Sequence, residues 1–96
     1  SLQKKIFSLC KKLNIICFAS PFDIKSVEFL EKLNCPIYKL ASPEIGHYQL
    51  IKRISLTKKP LIISTGMSDI EEIEKTFNFA KRVGIKKIAI LYCVSN

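Results

Sequence analysis

Two hydrophobic patterns alternate along this chain, and together they predict a regular succession of helices and strands. Leu2, Ile6 and Leu9 recur at helical spacing, with lysines on the other faces of the same segment. A continuous apolar run, residues 15–19, follows and is typical of a buried strand. The whole pattern predicts strands near residues 15–19, 37–41, 61–64 and 87–93, with helices between them.

Polar residues and one glycine mark where the predicted helices begin and end. Asn14 is suited to end the first helix, and Asp23 is placed to cap the second. Ser68 with Glu71 forms a capping box for the helix that follows the third strand. Gly84 ends that helix.

The spacing of the predicted strands indicates βαβ units and a parallel sheet. Their first residues, Ile15, Ile37, Leu61 and Ile88, lie 22, 24 and 27 residues apart. An open doubly wound sheet and a (β/α)8 barrel both fit this pattern. Small polar residues follow every predicted strand. An open sheet binds its ligands mainly at the one point where its strand order reverses, so we favour the barrel. A complete barrel needs about 250 residues, so we expect a partial barrel of about four parallel strands, with the intervening helices on one face.

A lysine interrupts the second predicted strand. Side chains alternate along a strand, so Lys39 shares a face with Ile37 and Ala41. An ammonium group on an apolar face needs an anion or contact with water, because burying an unpaired charge is costly. Glu44, just past the strand, and a bound anionic substrate are both candidate partners. A lysine that reaches the surface from an edge strand fits the pattern equally well.

Hydroxyl groups recur at the carboxyl ends of the predicted strands. Ser20, Ser42 and Ser64 offer neutral donors and Lys39 offers one positive charge, a combination that suits a phosphate or a carboxylate. Each serine alone is more readily explained as a helix cap or turn residue, so the prediction depends on their repetition at the same end of the sheet. Glu44 is the only acid close to them in the chain and is the candidate proton carrier.

Composition and charge limit the classes of protein to which this chain can belong. The formal net charge is +8, from 16 basic and 8 acidic residues, but no arginine cluster with interleaved aromatic residues indicates a nucleic-acid partner. No apolar run is long enough to span a membrane. The four cysteines have no CxxC spacing, which fits a reducing, cytoplasmic compartment and no structural zinc. His47 is the only histidine and cannot hold a metal alone, so we expect a capping or surface role for it.

Four motifs carry a resemblance to a known family. They are FASPFD at residues 18–23, YKLASPE at 38–44, KPLIISTGM at 59–67 and CVS at 93–95. In this order and spacing, over nearly the whole chain, they resemble the sialic acid synthase family, which includes N-acetylneuraminate, legionaminate and pseudaminate synthases. The resemblance implies that residues 1–96 are the middle of a TIM barrel, about strands three to six. Earlier strands, later strands and a C-terminal antifreeze-like domain would then lie outside this chain.

The resemblance also implies an activity. Members of that family condense phosphoenolpyruvate with an N-acetylated sugar, giving a nine-carbon 2-keto acid and phosphate. They need a divalent metal, Mn²⁺ or Mg²⁺, whose histidine ligands would lie outside this chain, and they form homodimers. The 96 residues alone are expected to be inactive. A non-catalytic half-barrel that binds an anion is the alternative.

Matched position by position, the resemblance implies roles for the same polar residues. The implied phosphoenolpyruvate contacts are Ser20, Lys39, Ser42, Ser64 and Ser95. Lys39 matches the lysine that binds the phosphate or carboxylate of that substrate, and Glu44 matches a glutamate near the reacting carbons. Glu44 and Lys39 are therefore the candidate catalytic residues, and no residue of this chain matches a metal ligand.

Overall fold

The computed structural model describes residues 1–92, in which helices and strands follow one another much as the hydrophobic pattern predicts. The elements are α1 (Leu2–Lys12), α2 (Ile24–Lys32), β1 (Tyr38–Leu40), a short 3-10 helix (Ser42–Glu44), α3 (Tyr48–Ser55), β2 (Leu61–Ser64), α4 (Ile70–Arg82) and β3 (Ile88–Leu91). The predicted last strand, residues 87–93, corresponds to β3, while Cys93 and Ser95 lie outside the described residues. No helix of the described part is both long and apolar enough to cross a membrane.

The three strands of residues 1–92 form one parallel sheet in the order β1-β2-β3. Leu40 on β1 is aligned with Ile63 on β2, which is aligned with Ile90 on β3. The connections α3 and α4 each join neighbouring parallel strands, and such connections are almost always right-handed, so both helices lie on the same face. The predicted α/β class is confirmed, with three strands in the described part where four were expected.

The buried core lies between this sheet and the helices. Tyr38, Leu40, Leu61 and Ile63 project from one face of β1 and β2 and are almost fully buried. Their partners from the helices are Val27, Leu30, Leu50, Ile51, Ile54 and Ala80. Because α2, α3 and α4 all contribute to this one cluster, they cover one face of the sheet and leave the other face more open.

The prediction of a strand at residues 15–19 is wrong. Ala19 alone pairs with β1, through one isolated parallel bridge, and its carbonyl accepts the N–H of Lys39 at 3.0 Å. Beyond Ala19 the ladder would need the N–H of residue 21, and Pro21 has none, so the pairing does not continue past this bridge. Ile16 is 71% exposed, so the apolar run lies along an edge of the sheet and is not buried within it.

The starts of two helices were predicted with different success. Asp23 caps α2, accepting a backbone N–H three residues later at 2.7 Å, as predicted. The predicted capping box of Ser68 and Glu71 is wrong, because Asp69 caps α4 through an N–H bond of 2.8 Å. The N–H of Ser68 donates instead to the carbonyl of Thr65 at 2.9 Å and closes the preceding turn, so the helix begins one residue later.

Candidate anion-binding site

The open face of the sheet carries a lysine and a serine near the carboxyl ends of neighbouring strands. Lys39 is aligned with Ile62 on β2. Because side chains alternate along a strand, Ser64, two residues after Ile62, projects from the same face and lies nearer the carboxyl end of the sheet. Lys39 is half-buried, and Ser64 is 8% exposed. The ion pairs formed within residues 1–92 do not include Lys39.

Two more of the predicted serines lie at the same end of the sheet. Ser42 follows β1 almost directly, begins the 3-10 helix and is half-buried. Ser20 is exposed and comes next after Ala19, whose carbonyl accepts the N–H of Lys39. Together with Ser64, these residues place three hydroxyl groups at the carboxyl ends of β1 and β2, the end of the sheet nearest Lys39.

Glu44 ends the 3-10 helix and pairs with His47. Its Oε2 lies 3.1 Å from Nδ1 of the imidazole, with side chains 25% and 39% exposed respectively. Among the described residues Glu44 is therefore not the ion-pair partner of Lys39, which was one of the two partners suggested by the sequence. His47 occupies the N-cap position of α3 but makes no capping hydrogen bond. The sequence signal for this pair was a glutamate and a histidine three residues apart.

A polar cluster at the amino end of the sheet was not predicted. The Tyr38 hydroxyl donates to the carboxylate of Glu31, and Nζ of Lys59 lies 2.6 Å from the same carboxylate oxygen. Burial raises the pKa of Glu31, but the hydrogen bonds from Lys59 and Tyr38 outweigh burial, and the pKa lies below its usual value. Burial, and then the bond to Glu31, raise the pKa of Tyr38. The cluster ties α2 to β1, the strand that carries Lys39.

The described residues do not fit a metal centre. Across residues 1–92 no three side chains of His, Cys, Asp or Glu come together in a way that could hold an ion. Cys10, Cys17 and Cys35 are free thiols. Burial is the main cause that raises the pKa of both Cys17 and Cys35, so both thiols stay protonated at neutral pH.

The described residues define the class: an α/β protein with a parallel sheet. Its hydroxyl groups and lysine lie at the carboxyl ends of the strands, the edge at which α/β folds generally bind ligands. The NeuB family matches residues 1–96, the whole of the chain. The chain belongs to the NeuB family, which confirms the resemblance to sialic acid synthases carried by the four motifs.

Several relatives are similar over nearly all of this chain. It is 41% identical over 91 residues to pseudaminic acid synthase from Helicobacter pylori, covering 95% of this chain and 27% of that protein. It is 36% identical over 95 residues to N,N'-diacetyllegionaminic acid synthase from Campylobacter jejuni, covering 97% and 28%. The crystal structure of N-acetylneuraminic acid (sialic acid) synthetase from Leptospira borgpetersenii, in complex with citrate, matches with a TM-score of 0.83 at 30% identity, covering 97% and 34%. The chain thus spans about a quarter of the length of these curated relatives.

Proposed function

We propose that this chain is the central part of the catalytic barrel of a nonulosonic acid synthase, about strands three to six of a (β/α)8 barrel. The full-length parent, meaning the protein that contains this chain, condenses phosphoenolpyruvate with an N-acetylated sugar. C3 of phosphoenolpyruvate attacks the aldehyde carbon of the sugar, water adds at C2, and phosphate leaves, which gives a nine-carbon 2-keto acid. Membership of the NeuB family and the names of the relatives support this activity.

The observation that carries the proposal is the position of Lys39. Its side chain is half-buried on the open face of the sheet and has no ion-pair partner among residues 1–92. A positive charge held there is stabilised by an anion, and lysine is a common ligand of phosphate. We therefore assign Lys39 to the phosphate or carboxylate of phosphoenolpyruvate. The hydroxyl contacts assigned to the same substrate are Ser20, Ser42, Ser64 and Ser95.

Glu44 is assigned to proton transfer. Its contact with His47 uses Oε2 and leaves Oε1 for the attacking water or for the new hydroxyl group of the product. Pro43 restricts the backbone of Ser42 and stiffens the short segment that aims the carboxylate. A carboxylate held this way, at the mouth of β1, is suited to accept and return one proton during the reaction.

Other parts of the reaction are assigned to the parent outside this chain. Because the described residues form no cluster of metal ligands, the Mn²⁺ or Mg²⁺ ion is proposed to be held elsewhere in the parent. The acceptor sugar is proposed to be bound mostly by those other segments too. The parent is proposed to act as a homodimer.

A second function is favoured by one observation. Glu44 pairs with His47 and not with Lys39, which leaves the anion site without a carboxylate paired to its lysine. A non-catalytic half-barrel that binds an anion needs only Lys39 and the neighbouring hydroxyl groups, so the observed arrangement is sufficient for that function.

One assay separates the two functions. The full-length parent is incubated with Mn²⁺, phosphoenolpyruvate and, in turn, the N-acetylated acceptor sugars of the sialic, legionaminic and pseudaminic series. Phosphate release is measured by a coupled assay, and the 2-keto acid is identified by mass spectrometry. The synthase is supported by phosphate release that depends on one of these sugars. Calorimetric binding of phosphoenolpyruvate without turnover of any sugar would identify the binding module, and no binding at all would rule out both.

A further inference from the structure

The turn after β2 is held in place on both sides. The N–H of Ser68 donates to the carbonyl of Thr65 at 2.9 Å and closes the turn, while the N–H of Thr65 donates to the carbonyl of Leu91 at 3.0 Å. Gly66 occupies the second position of this turn with φ +51°, in the left-handed region that glycine adopts most readily. The turn is thereby fixed to β3 as well as to β2.

Ser42 faces this turn from the neighbouring loop. Since Leu40 is aligned with Ile63, the segments after β1 and β2 leave the sheet side by side. A Cβ atom placed on Gly66 would lie 2.5 Å from Oγ of Ser42 and 2.6 Å from its Cβ. Non-bonded heavy atoms are in favourable contact only at about 3.5–4.0 Å. Ser42 can occupy its observed position only because residue 66 has no side chain.

We infer that Gly66 is a positioning residue for anion binding: the missing side chain lets the hydroxyl of Ser42 sit against the turn after β2, at the same end of the sheet as Ser64. This inference rests on the proposed function, in which both hydroxyls contact the phosphate or carboxylate of phosphoenolpyruvate. A side chain at residue 66 would push Ser42 away from that anion. Gly66 itself touches no substrate and acts through Ser42.

A matched control exists elsewhere in the chain. Gly84 also has a positive φ, +105°, but a Cβ placed there meets no atom within 4 Å. This φ lies further from the left-handed region that other residues tolerate, about +50° to +70°, so alanine is at least as strained at Gly84 as at Gly66. Gly84→Ala therefore reproduces the backbone strain of Gly66→Ala without the contact to Ser42.

The test compares variants of the full-length parent. Gly66→Ala is expected to raise KM for phosphoenolpyruvate at least about tenfold, as for a lost hydrogen bond to a charged group, while kcat changes less. Gly84→Ala is expected to leave that KM within about twofold, with a comparable drop in Tm. If Gly66→Ala lowers Tm but leaves KM unchanged, Gly66 is only a structural turn residue.

A double variant keeps the test decisive where Gly66→Ala alone folds poorly. Ser42→Gly removes both atoms that the added Cβ would meet, so Gly66→Ala is sterically allowed in that background. We expect Ser42→Gly alone to raise KM, and the double variant to match it, because both changes act on the same contact. Effects that multiply would overturn the inference. Wild-type parent that does not bind phosphoenolpyruvate would instead refute the proposed function, so the two failures are distinguishable.

Discussion

Lys39 supplies the positive charge of the candidate site, and its removal tests the site directly. In the full-length parent, Lys39→Ala and Lys39→Met are each expected to weaken phosphoenolpyruvate binding about ten- to a hundredfold, because a hydrogen bond to a charged group contributes about 1.5–3 kcal/mol. Methionine retains a long, flexible apolar chain, so that variant should fold like the parent. Calorimetric titration with phosphoenolpyruvate provides the measurement. Normal affinity in either folded variant would mean that Lys39 only reaches solvent from the open face of the sheet.

Glu44 allows a sharper distinction between catalysis and positioning. Glu44→Gln keeps the shape of the side chain and a contact with His47 but cannot take up a proton. If Glu44 transfers a proton, kcat should fall by about 10²–10⁴-fold, the usual contribution of general acid–base catalysis, while phosphoenolpyruvate binding changes little. Steady-state kinetics with the sugar that supports turnover give both constants. A kcat within about tenfold of the parent, combined with weaker substrate binding, would show that Glu44 only shapes the loop.

Part of the site was predictable because it follows from local rules. Alternation along a strand and the common direction of parallel strands are enough to place Lys39 and Ser64 on one face at one end. The Glu44–His47 pair depends instead on the path of the loop, in which the 3-10 helix and Gly46, with φ +88°, bring the two side chains together. Neither hydrophobic pattern nor composition encodes that path.

At the scale of elements, periodicity predicted the helices and three strands, because burial on one face imposes a regular apolar spacing. It failed for residues 15–19, since an apolar run reads the same at a sheet edge as in the centre. The capping-box pattern misplaced the start of α4 by one residue. Ser68 and Asp69 are both good caps, and the preceding turn uses the N–H of Ser68.

The polar cluster of Glu31, Tyr38 and Lys59 links α2 to the sheet and makes the stability of the fold depend on pH. The pKa of Glu31 is lowered in the folded state, so its contribution is present above the unfolded pKa, about 4.3, and is lost as the pH falls through the folded value. Glu31→Gln in the parent should lower Tm at pH 7, and the difference from wild type should shrink as the pH falls below about 4. Thermal melts at pH values from about 3 to about 8, in steps of about one pH unit, measure this difference in Tm.

A control for that pH series lies on the same helix. Glu28 is exposed and takes part in none of the ion pairs formed within residues 1–92, so Glu28→Gln should leave Tm nearly unchanged at every pH. A Tm difference for Glu31→Gln that stays constant down to pH 3 would mean that Glu31 stabilises through packing and not through its charge.

In the whole molecule, apolar surface remains exposed along both edges of the sheet and on α1. Ile16, three residues before the bridge that joins Ala19 to β1, is 71% exposed, and Ile90 on β3 is 48% exposed. No residue of α1 is buried, and Leu2 and Leu9 on its apolar stripe are 73% and 54% exposed. In the proposed barrel each of these surfaces would meet a neighbouring strand or helix. In the 96-residue chain by itself they offer unpaired strand edges and apolar contacts to a second copy.

The 96-residue chain alone is therefore expected to self-associate, and the association should depend on the edges. In size-exclusion chromatography with light scattering, wild type should elute well above the mass of one chain. Ile16→Lys combined with Ile90→Lys should shift the population towards monomer, because charged side chains on sheet edges oppose strand pairing. Met67→Lys adds one such charge at a residue that is 96% exposed in a turn, away from the sheet edges, so it should leave the elution unchanged. A monodisperse wild-type monomer that melts cooperatively would contradict this prediction and weaken the proposal that these residues are part of a larger barrel.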